Sequence, residues 1–204
     1  MDFKDKVLDD LVARIRDLEA EIDLRISEKR RQFHYSVEQN RVRFEDDFLR
    51  AQRAFRRGLW RQIRETPLLF ILSSPIIYSL ILPLVLLDLA VAFYQAICFP
   101  VYNIQRVPRS DFIVIDRQHL AYLNPLEKLN CVYCGYANGL IALVREVASR
   151  TEQYWCPIKH SRPVAKPHSR YVHFVDYGDA EGYRRQLEDL RRRLGPHQPP
   201  PADR

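Results

Sequence analysis

The chain has 204 residues, 47% of them hydrophobic, and a formal net charge of +6. That is material for one or two modest units, and the basic balance suits an anionic surface, lipid or nucleic acid. Four cysteines, with no apolar export signal in the first twenty residues, read as reduced thiols in metal or redox use and exclude a disulfide framework.

Residues 1–65 contain one glycine and no proline. Apolar side chains recur at Leu11, Ile15, Ile22, Ile26, Phe33, Val37, Phe44, Phe48, Phe55 and Leu59, spaced alternately by four and seven. Leu8 and Leu18 widen the stripe at its start. An eleven-residue repeat gives about 3.67 residues per turn, so the pattern predicts one long helix. Its single apolar stripe requires a covering surface, either a second copy in a coiled coil or a different partner protein.

Charge shifts along this segment. Residues 1–28 carry five basic and nine acidic side chains, and residues 29–66 carry eleven basic and five acidic. The basic end holds Arg53, Arg56, Arg57, Arg61 and Arg64 with Trp60 among them, a composition suited to a membrane surface. Nucleic-acid binding by this stripe is an alternative, weakened by the interleaved Glu45, Asp46 and Asp47.

Residues 67–104 follow, with Asp88 as their one charged residue. About 20 apolar residues cross a bilayer as a helix. Pro75, Pro83 and Pro100 interrupt the run. Two layouts fit, a single span near 76–99 or a short helical hairpin turning near Ser79 to Pro83. Basic residues on both flanks favour the hairpin, with both termini cytoplasmic. Asp88 is costly in lipid and is expected to face a protein interior or a partner.

Residues 105–178 read as a small α+β unit. "DFIVID" (111–116) and "VHFVDY" (172–177) look like strands, and Leu140, Ile141, Val144 and Val147 mark a helix between them. A further helix over 179–194 carries Tyr183, Leu187, Leu190 and Leu194 on one face. It can pack on the unit or join the N-terminal coil. The proline-rich tail, 195–204, predicts no fold.

The small unit also holds Cys131 and Cys134 as C-x2-C, then Cys156 and His160 as C-x3-H. Three readings stand. The four side chains bind one structural zinc ion, with iron as the lesser alternative. Cys131 and Cys134 form a redox dithiol ahead of a helix, as in a membrane-associated redox enzyme. Or the cysteines pack without a ligand. The zinc reading requires the helix after Cys134 to stop near Ser149, because one straight helix keeps the two halves apart. No phosphate loop, nucleophile elbow or H-E-x-x-H is present, and no small-molecule substrate is indicated.

The run "DFIVIDRQHLAYLNPLEKLNCVYCGYANGL", followed by "EQYWCPIKH", resembles a family of uncharacterised bacterial membrane proteins. The resemblance covers under half of the chain. It implies a bacterial inner-membrane protein and brings no activity with it. Together these readings describe a mainly helical, membrane-anchored scaffold or interaction protein.

Overall fold

The computed structural model describes residues 3–32, 35–38, 41–44 and 46–196. The described chain is mainly helical and divides into two compact units. One comprises the chain up to Gly58 together with His119–Asn124; the other is built from Leu59–Gln118 and from Pro125 onward.

The first unit opens with helix α1 (Phe3–Gln32), followed by an antiparallel pair, β1 (Tyr35–Glu38) and β2 (Arg41–Phe44). The register sets Tyr35 opposite Phe44 and Val37 opposite Val42. Helix α2 (Asp46–Arg53) comes next. The expected single helix over 1–65 is therefore interrupted. Between 35 and 44, aromatic and β-branched residues alternate with Ser36, Glu38, Arg41 and Arg43. That period of two competes with the eleven-residue period, and these residue types favour the extended form. Phe33, one position of the predicted stripe, lies outside the described residues. On α1 the stripe persists, and Leu11, Ile15, Leu18, Ile22 and Ile26 are all exposed. Elsewhere in this unit, the Ala121 N–H donates to Gln52 Oε1 at 3.3 Å, and buried Asn124 donates to the Arg57 carbonyl at 3.4 Å.

The second unit begins with the short helix α3 (Leu59–Glu65). Helices α4 (Leu68–Ser79) and α5 (Ile81–Val101) then run together as one apolar helix of 34 residues, long and apolar enough to cross a membrane. The hairpin favoured by the flanking charges is not formed. Leu80 keeps right-handed helical angles, its N–H donates to Ile77, and its carbonyl accepts from Leu84 at 3.2 Å. The ladder thus continues through the junction.

The prolines do not turn the chain, because neighbouring donors repair what they remove. Pro75 offers no N–H to the Ile71 carbonyl, and the Ser74 hydroxyl donates to that carbonyl at 2.8 Å. Pro100 likewise frees the Ala96 carbonyl, which accepts from the Arg106 guanidinium at 2.9 Å. Pro83, three residues into α5, takes one rung out of the ladder at the junction, the one to the Ser79 carbonyl, and the Leu84 N–H resumes it.

After α5 the chain doubles back through residues 102–118 and enters α6 (Pro125–Trp155), a single helix of 31 residues. The segment read as the strand "DFIVID" forms no ladder. It lies instead as irregular backbone against α6, and its closeness depends on two glycines one turn apart. A Cβ on Gly139 would stand 2.5 Å from the Phe112 carbonyl oxygen, and one on Gly135 would stand 3.3 Å from that of Val114.

The α+β expectation reduces to one isolated parallel bridge, Ile158 with Val175. Helix α7 (Ala180–Arg192) matches the predicted C-terminal helix. Asp179 caps it by accepting from the Gly182 N–H at 2.8 Å, and Leu187, Leu190 and Leu194 are buried within this unit. The core gathers Phe99, Ile104, Val107, Leu140, Leu143, Val147 and Leu194. The tail beyond residue 196 lies outside the described residues.

The glycine pair yields an ordered expectation. Alanine gains about 1 kcal/mol of helix propensity over glycine, and overpacking costs roughly 1–3 kcal/mol. Gly139→Ala is expected to lower stability by clearly more than Gly135→Ala, because its Cβ would meet backbone atoms at 2.5 and 2.9 Å, against one at 3.3 Å for Gly135. Denaturant unfolding of the two variants checks the order.

Candidate functional site

The residues singled out in the sequence are distributed as follows. Cys131 and Cys134 lie inside α6, in its second and third turns, Cys131 half-buried and Cys134 exposed. Cys156 follows the last residue of the same helix and is exposed. Cys131 and Cys156 are 25 positions apart, about 37 Å along a helix at 1.5 Å per residue. The helix does not stop near Ser149, so the two half-sites are not brought together within one chain. Nor do the described residues contain any group of three or more His, Cys, Asp or Glu side chains placed to hold a metal ion.

The dithiol reading expected the pair to precede a helix. Cys131 instead sits beyond the first turn, where the favourable field of a helix N-terminus has faded. The Cys156 thiol is pushed above its ordinary value by burial and by the charge of Glu152, which disfavours the thiolate. His160 serves the loop: its backbone N–H donates to the Tyr171 hydroxyl at 2.6 Å, and its ring stacks on Tyr171.

Of the basic set, Arg53, Arg56 and Arg57 are exposed in the first unit. Trp60, Arg61 and Arg64 are exposed on α3, with Arg61 paired to Glu65 at 2.8 Å.

Asp88 has the environment expected of it. It is buried, and it faces protein. Arg109, reached by the returning chain, pairs with one carboxylate oxygen, and the Tyr136 hydroxyl donates to the other at 2.8 Å. Arg109 also lies 6.0 Å from the centre of the Tyr136 ring. Burial and the hydrogen bond to Asp88 raise the Tyr136 phenol above its ordinary value. The arrangement leaves a neutral cluster of an acid, a base and a phenol behind an apolar helix.

This cluster stands midway along a line of polar contacts on the inner side of that helix. Tyr78 donates to Asn130 and meets Tyr133 edge-on, and Tyr133 donates to the Ile77 carbonyl at 2.7 Å. Gln95 accepts from the Val107 N–H at 2.9 Å, and Tyr94 meets Thr151 at 3.0 Å.

A second polar centre lies at the other end of α6. Glu146 accepts from Arg150 at 2.7 Å and from Arg170 at 3.0 Å. Arg170 is 7% exposed and also donates to Gln153, whose amide donates onward to the Leu190 carbonyl at 2.7 Å. Six residues beyond Glu146, Glu152 meets His168 at 2.9 Å. These contacts tie the 157–176 loop and α7 to the helix. Burial pushes the Glu146 carboxyl upward, but the hydrogen bond from Arg150 and the charge of Arg170 outweigh it and hold the group below its ordinary value of 4.5.

No protein-family model matches the chain, and no curated protein or solved structure matches it either. The chemistry of the chain therefore has to be read from these two centres. Both join oppositely charged groups through hydrogen bonds, and both hold chain segments in place.

Because the folded Glu146 titrates low, its contribution to stability is complete above its unfolded value and is lost as pH falls through the folded one. Breaking a buried pair on one side costs about 3–5 kcal/mol. Glu146→Gln is expected to lose about that at neutral pH and to flatten the acid limb of the stability profile. Thermal unfolding followed from neutral to acid pH, alongside trypsin cleavage after Lys159 and Arg170 in the same loop, provides the measurement.

Proposed function

We propose that this chain is a membrane-anchored scaffold, held in lipid by α4 and α5 and assembling through α1. The observation that carries the reading is the apolar helix Leu68–Val101: only 6% of its most apolar 18-residue stretch is buried in the protein. A helix that apolar is stable in water only if something else covers it. Basic residues and an exposed tryptophan on α3, immediately before it, suit anionic headgroups. The bacterial inner membrane is the setting that agrees with the sequence resemblance.

The assembling element is α1. Within its boundaries the stripe reads Leu11, Ile15, Leu18, Ile22, a spacing of four, three, four. Taking Ile15 and Ile22 as position a of a heptad puts Leu11 and Leu18 at d, the combination that favours two parallel strands. Arg14 then falls at g and Glu19 at e of the next heptad, where a parallel partner sets opposite charges together. Anchoring in one membrane also gives both copies the same direction, which agrees with parallel pairing. At two heptads the seam is short, and confinement to a membrane supplies the effective concentration that its length lacks.

The protein is expected to remain in the pellet after salt and carbonate washes of membranes; release into the supernatant would remove the anchor reading. In protein whose four native cysteines are replaced by alanine, in detergent or in vesicles, Leu18→Cys is expected to form a disulfide-linked dimer and Ala20→Cys, on the outer side of α1, to form none. Equal yields would remove the pairing.

A further inference from the structure

Resting on the membrane reading, we propose that the α4–α5 helix lies along one leaflet, in the plane of the membrane interface, so that the chain enters and leaves the lipid on the same side. A helix of 34 residues is about 51 Å long, against about 30 Å of hydrocarbon. Length alone permits a tilted crossing. What opposes it is the distribution of polar groups along the helix.

The rest of the second unit lies beside the apolar helix and not beyond its end. Asn130 and Tyr133 are level with residues 77 and 78, Arg109 is level with Asp88, and Arg106 is level with Ala96. About 20 residues fill the hydrocarbon. An upright stretch from 68 to 87 therefore takes Asn130 and Tyr133 to mid-depth. One from 82 to 101 takes Arg109 and Arg106 into the slab, and the Arg109 side chain is 51% exposed. Every upright placement thus immerses exposed polar or charged groups.

The opposite side of the helix carries no such penalty. Leu72, Ile76, Leu82, Leu86, Leu89 and Phe93 are each more than 60% exposed. The polar side chains Tyr78, Asp88, Tyr94 and Gln95 all engage groups on the inner side. The combination is that of an interfacial helix whose polar face is supplied by α6 and by residues 102–118. Aromatic anchors stand at both ends: Trp60 on α3, and beyond Val101 the cluster of Tyr102, Tyr154 and half-exposed Trp155. Rings of this kind settle at the headgroup level. In the plane, both ends meet that level on one side.

The test reads depth. In full-length protein carrying Trp60→Phe and Trp155→Phe, single tryptophans are introduced by Ile71→Trp, Leu82→Trp and Phe93→Trp. These positions are eleven residues apart, about 33 Å from first to last, and fall on nearly one line of the exposed side. Each variant is bound to vesicles of mixed zwitterionic and anionic phospholipid, and quenching by lipids brominated at known depths is measured. The expected result is one common depth within about 5 Å, the rise of one turn. A deep Leu82→Trp between shallow Ile71→Trp and Phe93→Trp would overturn the proposal in favour of a span. Vesicle flotation without quenching at any position would overturn insertion while leaving surface attachment. Failure to float would remove the membrane reading itself. A variant that loses the helical circular-dichroism signal is replaced by Leu86→Trp, so a misfolded protein does not stand in for a result.

Discussion

One carboxylate orients the longest helix among the described residues. Asp88 is the only charge in the 34-residue apolar helix, and an isolated carboxylate removed from water is too costly to leave unpaired. Its pairing with Arg109 and Tyr136 fixes which side of the helix faces the protein. Two distant parts of the chain must converge to make that pair: the returning segment delivers Arg109, and α6 delivers Tyr136. The same rotation turns Tyr78, Tyr94 and Gln95 inward and leaves leucine, isoleucine and phenylalanine outside. Hydrophobicity provides the reason for burial but not its direction; the polar seam supplies the direction.

The straightness of α6 is the second constraint. Its unbroken hydrogen-bond ladder separates Cys131 from Cys156, so a sequence motif with plausible ligand spacing does not close. The glycines between them have a different role. Gly135 and Gly139 form a G-x-x-x-G, a spacing usually met where two helices approach closely. Here they receive irregular backbone at residues 112–114.

These particulars explain what the sequence made legible. Composition alone marked residues 67–104, and the four-three-four spacing of Tyr183, Leu187, Leu190 and Leu194 marked α7. The inward turn of Asp88 followed from the cost of a charge in lipid. Arg109 and Tyr136 were not legible as its partners, because nothing local records which of many arginines returns to it. "DFIVID" has the composition of a strand because close packing on α6 needs the same apolar residues as a ladder does. The sequence over 35–44 satisfies two periods at once, and the extended one prevails at Tyr35–Glu38 and Arg41–Phe44. Glu146 and Arg170 stand 24 positions apart, a separation no periodicity can connect.

The closing of the core at Leu194 has a consequence for how the protein is made. Phe99 is fully buried in a cluster that includes Leu194, and the Leu194 carbonyl accepts from the Gln105 N–H at 2.8 Å. The ribosome delivers α5 before α6 and α7, so Phe99 is covered in steps: α6 brings Leu140, Leu143 and Val147, and Leu194, just past α7, comes last. Until Leu194 arrives the inner side of the apolar helix is incompletely closed, and such exposure is what chaperones act on. The last of these core residues to be synthesised is therefore the one that completes the enclosure.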